Sequence, residues 1–122
     1  MPARKLHLMF DEYLKEREIL LNTTRADSVH DRMDRRLTEY GPDHQVLDFY
    51  HGEEGIRTWL DALPETTHQD TKTDYLRVAL GHLVLDDMKY RLPDASDEEL
   101  IRAAYRSFVQ RGFDRSFYKE PR

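Results

Sequence analysis

The 122-residue chain contains no cysteine, which excludes a disulfide scaffold, a thiolate metal site and a cysteine nucleophile. Glycine and proline number five each, and no Gly/Ser linker or internal repeat divides the chain. No apolar run approaches the roughly 20 residues needed to span a bilayer. Met1 to Asp11 lacks the continuous apolar stretch of a secretory signal, so the expected location is cytoplasmic. No Gly-rich phosphate loop, nucleophile elbow or paired-histidine zinc helix occurs. A net charge of −5 argues against a general nucleic-acid or membrane-surface binder.

What is present is an amphipathic composition of 39% hydrophobic and 35% charged residues, enough for one core with a heavily solvated exterior. Periodicity and caps predict about five helices. In the first, from about residue 3 to 21, Leu6, Phe10, Tyr13, Leu14 and Leu21 share a face. The second follows Thr24, whose spacing to Asp27 fits a capping box, and ends at Gly41-Pro42. The third starts near Asp43, is broken or kinked at Gly52 and presents Ile56, Trp59, Leu60 and Leu63 before Pro64. A polar loop over 65–70 leads to a fourth helix over about 71–91. The fifth opens on Ser96 and Glu99 as a capping box, buries Leu100, Ala104 and Phe108, and closes at Gly112.

Apolar residues surround the fourth helix almost completely, which marks a helix buried on all sides; Gly81 would allow a neighbour to approach it closely. The expected fold is therefore all-α: a single domain over 1–122, a compact bundle or orthogonal array, with the fourth helix central and buried. From about residue 112 a basic, aromatic tail follows. The segment 102–122 carries +4 and the remainder −9.

Histidine and aspartate are distributed unusually. Four of the six histidines have an aspartate four residues on: His7/Asp11, His30/Asp34, His44/Asp48 and His82/Asp86, where composition predicts fewer than one such pair. Residues four apart share a helix face, so each pair could hold a metal ion, or the carboxylate could orient the imidazole. The faces separate them. His44, Asp48 and His51 point away from their apolar stripe, whereas His7/Asp11 and His30/Asp34 lie on flanks. Only His82/Asp86 sits within an apolar surface. The metal-ligand candidates are accordingly His82, Asp86, His30 and Asp34, with His7/Asp11 or Asp87 as further contributors, and the alternative for His82/Asp86 is a buried pair satisfying its own hydrogen bonds. The dipeptide His30-Asp31 resembles the core of the metal-dependent HD phosphohydrolases. That family sets it after an apolar helical run, whereas here it follows Asp27-Ser28-Val29.

Arg17 interrupts the first helix's apolar stripe. It is expected either to snorkel to water or to pair with a buried acid such as Asp86 or Asp87. Leu8 and Ile19, on the back of that helix, are candidates for a dimer contact. In the tail, Phe108, Arg111, Phe113, Arg115, Phe117, Tyr118 and Lys119 interleave aromatics with bases. That is a composition suited to single-stranded nucleic acid, or to a tail that folds back on an acidic bundle.

These features give two main functional expectations. The first is a helical module, without catalytic activity, that binds a protein partner or self-associates. The second is a divalent-metal-binding helical domain, hydrolytic if the metal activates water. Nucleic-acid contact through the tail is a third.

Overall fold

The computed structural model describes residues 2–21, 52–61, 63 and 68–119. The predicted second helix and the start of the third lie outside these residues. All regular structure among the described residues is helical: α1 (Pro2–Glu16), α2 (Gly52–Asp61), α3 (Gln69–Arg91), α4 (Asp97–Gln110) and a 3₁₀ turn (Phe113–Arg115).

The first helix is shorter than its periodicity predicts. Glu18 takes a left-handed φ of 60°, the Ile19 N–H reaches back to the Leu14 carbonyl, and the Glu18 N–H bonds Lys15. This is a Schellman ending, with buried Ile19 and Leu14 in the positions of its hydrophobic contact. The signal is weak in sequence because a glutamate occupies the position glycine normally takes. Beyond the cap the chain turns inward. Ile19 is buried and Leu21 is exposed, the reverse of a helical projection, so Ile19 offers no dimer contact.

The second described helix begins at Gly52, where a break was expected, and seats fully buried Ile56 and Leu60. The long helix α3 packs against α1, α2 and α4. Every residue from Lys72 to His82 is buried, which accounts for the lack of a single apolar stripe in its sequence. It starts two residues earlier than expected because the His68 side chain caps it, Nδ1 accepting the Asp70 N–H. Gly81 sits where α1 comes closest: a methyl there would stand 2.8 Å from Phe10 Cε2 and 3.4 Å from Leu14 Cδ1. Phe10, itself fully buried, meets Phe108 of α4 edge to face at 6.2 Å, so one ring joins three helices.

The fifth predicted helix appears as α4 with the expected capping box. The Ser96 hydroxyl accepts the Glu99 N–H, and the Glu99 carboxylate accepts the Ser96 N–H. Hydrogen bonding to Ser96, through the side chain first and the backbone second, lowers the Glu99 pKa. The Glu99 carboxylate's part of the box therefore contributes in full above the ordinary glutamate range and is lost as pH falls through the depressed value, while the Ser96 hydroxyl's bond to the Glu99 N–H does not titrate. Gly112, at φ 74°, makes the left-handed turn that ends the helix.

Candidate functional site

The two His/Asp pairs in the described residues meet where α1 and α3 cross, and they exchange partners. His7 and Asp11 are one turn apart on α1, as are His82 and Asp86 on α3. Because the helices run antiparallel there, His7 Nε2 bonds Asp86 Oδ1 at 2.8 Å and His82 Nε2 bonds Asp11 Oδ1 at 2.7 Å. The imidazoles stack between these bonds, with centroids 4.3 Å apart and planes 11° from parallel. With the carboxylates ionised, Nε2 is the donor in each pair. The array spans a burial gradient, from Asp11 at 0% exposure to Asp86 at 52%.

The predicted metal set is thus only partly in view. His82 and Asp86 are near one another, but each is bonded to α1 and not to the other. His30 and Asp34, with His30-Asp31, His44, Asp48 and His51, lie outside the described residues. Among the described residues, no group of three or more His, Asp or Glu is placed to hold a metal ion. A metal lies close to the plane of each imidazole that ligates it. Two nearly parallel rings stacked at 4.3 Å have no such point in common, so a shared ion would require them to reorient.

A second polar group on α3 has no precedent in the sequence reading. Lys72, Thr73, Asp74 and Arg77 are all buried, and they anchor the two segments that cross the helix. Asp74 accepts the Leu21 N–H, and Arg77 donates to the Ile19 carbonyl at 2.6 Å and the Ser116 carbonyl at 2.9 Å. Burial lowers the Arg77 pKa, with Asp74 and Asp114 acting in the opposite direction. Thr73 accepts the Tyr118 N–H, and Gln69 donates to the Tyr118 carbonyl. The Tyr118 hydroxyl bonds Asp61 of α2 at 2.5 Å, and the Lys72 ammonium lies 5.0 Å from its ring. The tail is therefore folded back. Of its described aromatics, Phe117 alone is exposed; Phe113 packs edge to face on Phe108.

The outer face of α1 and α4 gathers different residues. Tyr13 and Tyr105 meet edge to face at 5.2 Å. The Arg17 guanidinium lies 3.3 Å from the centre of the Tyr13 ring and 5.3 Å from that of Tyr105. Arg17 does not pair with Asp86 or Asp87; those carboxylates bond His7 and Arg91. Three surface hollows adjoin here. One of about 570 Å³ is lined by Met9, Tyr13, Arg17, Glu98, Ile101 and Arg102. One of about 260 Å³ is lined by Tyr13, Arg102, Tyr105 and Arg106. One of about 230 Å³ lies between Leu92, Ala95, Ala103, Glu99 and the same two arginines. Arg102 borders all three, held by a 2.6 Å bond to Glu98.

No family model, curated protein or solved structure matches the chain. No helix among the described residues is long and apolar enough to cross a membrane.

Proposed function

We propose that the chain is a single helical domain that acts as a non-enzymatic binding module, with the outer face of α1 and α4 as its contact surface. The observation that carries this reading is the convergence of three hollows on Arg102, beside the Tyr13–Tyr105–Arg17 stack. Tyrosine, arginine and methionine are the residue types enriched in protein interfaces, and tyrosine and arginine head the list of those that dominate binding energy. Arg17 and Arg102 are positioned by contacts within the chain, which reduces the ordering cost on association.

A photo-activated benzoylphenylalanine at position 105 tests the reading. Irradiation in cells is expected to give a discrete adduct of protein mass that disappears when Arg102→Glu is added. An adduct insensitive to Arg102→Glu, or no adduct, would sink the proposal.

The metal-binding alternative requires the stacked His7 and His82 rings, now bonded across the helix crossing, to reorient. In it His82 and Asp86 act with His30 and Asp34 on a divalent ion. Zinc or manganese titration followed by histidine NMR decides it. Stoichiometric shifts of the His82 and His30 resonances are required, and their absence removes the alternative.

A further inference from the structure

Where α1 and α4 meet, the overall charge of the chain is locally reversed. The chain carries −5, yet the middle hollow of the contact surface, about 260 Å³, is lined by Tyr13, Tyr105, Arg102 and Arg106 and by no carboxylate. Arg102 and Arg106 are four residues apart on α4 and so stand on one face, where like charges repel. Glu98 offsets Arg102 through its 2.6 Å bond, but Arg106 is exposed and makes no ion pair within the described residues. The Glu99 carboxylate, which borders the adjoining hollow, accepts the Ser96 N–H. Guanidinium groups only donate, so this lining lacks an acceptor, and a carboxylate is the acceptor that matches the arginine fork.

The neighbouring wall narrows the kind of acid. Met9 and Ile101 line the larger hollow, about 570 Å³, which shares Tyr13 and Arg102 with the middle one. A free anion would leave that apolar wall in water. A nucleic-acid strand would stack its bases on tyrosine faces, but the Arg17 guanidinium already lies 3.3 Å from the centre of the Tyr13 ring. A protein segment that sets an apolar side chain beside its carboxylates satisfies both hollows.

We infer that the partner of this surface is an acidic protein segment. Its carboxylates sit between Arg102 and Arg106, and an apolar side chain next to them enters the hollow against Met9 and Ile101. The inference rests on the contact surface proposed above and specifies the chemistry of its partner.

Selection of phage-displayed random peptides on the immobilised full chain tests it. The wild type is expected to enrich sequences in which two or more Asp or Glu adjoin an apolar residue. Those peptides, resynthesised with a fluorescein label, are expected to bind Arg106→Gln roughly tenfold or more weakly. The double variant Arg102→Glu/Arg106→Glu is expected to lose them and to enrich sequences rich in Lys and Arg instead. Both arginines are exposed, so circular dichroism and Tm are expected to stay near wild-type values. Enriched sequences without acids, no enrichment at all, or acidic peptides that the double variant still binds overturn the inference. So does a labelled oligothymidylate that outcompetes the peptides, or self-association of the chain that excludes them. If the acidic peptides fail while the position-105 adduct persists and depends on Arg102, the acidic partner is wrong and the contact surface survives; if the adduct is absent as well, both fall.

Discussion

Tyr118→Ala is expected to cost about 3–5 kcal/mol of stability, enough to unfold a domain of ordinary marginal stability. The side chain is almost completely buried, its hydroxyl bonds Asp61, its ring lies over Lys72, and its backbone is held by Thr73 and Gln69. Removing it empties the space between α2 and α3 and leaves polar partners facing a void. Urea denaturation followed by circular dichroism measures the loss. Tyr118→Phe isolates the hydroxyl and is expected to cost about 0.5–1.5 kcal/mol, the net worth of one hydrogen bond, because its partner Asp61 stays in water. If Tyr118→Ala costs less than Tyr118→Phe should, the tail is not part of the cooperative unit.

The second large effect is expected at Asp11. It is fully buried and bonds His82; breaking such a pair by truncating one member costs about 3–5 kcal/mol, because the other is left buried without compensation. Asp11→Ala is expected to fall in that range. The matching change on the exposed side, Asp86→Ala, removes an otherwise similar hydrogen bond to His7, yet it is expected to cost under about 1 kcal/mol, since Asp86 is half in water. Denaturation midpoints of the two variants give the comparison. Equal losses would mean that the array is not graded by burial.

Helix type and most helix ends were legible in the sequence where local chemistry determines them. The Ser96–Glu99 spacing specified its own cap, and the all-round apolar character of residues 75–85 marked α3 as buried. The end of α1 was illegible because a left-handed Glu18 has no compositional marker and the apolar pattern continues into Ile19, Leu20 and Leu21. His68 went unnoticed as a cap because histidine is not among the usual capping residues.

The histidine–aspartate array was half legible. Spacing found both pairs and singled out His82, but intrahelical spacing names neighbours on one helix, and the actual partners lie on another. Which helix crosses which, and in what direction, is a tertiary fact. The same applies to Lys72, Thr73, Asp74 and Arg77, whose partners lie in segments far away in sequence. They are buried because two chain segments without regular structure bring their backbone groups to them. Arg17 reaches the surface at the end of α1, as a snorkelling arginine does, and its guanidinium lies on tyrosine faces and not against Asp86 or Asp87.

Arg77 joins carbonyls from opposite ends of the sequence, Ile19 after α1 and Ser116 in the tail. A single guanidinium thus closes a loop comprising most of the chain. Contacts of such high sequence separation are entropically costly to form early, so the clasp is expected to close late, burying Arg77 only as its two acceptors arrive. The two ends of the described chain are in this sense one structural element, although nothing in their sequences pairs them.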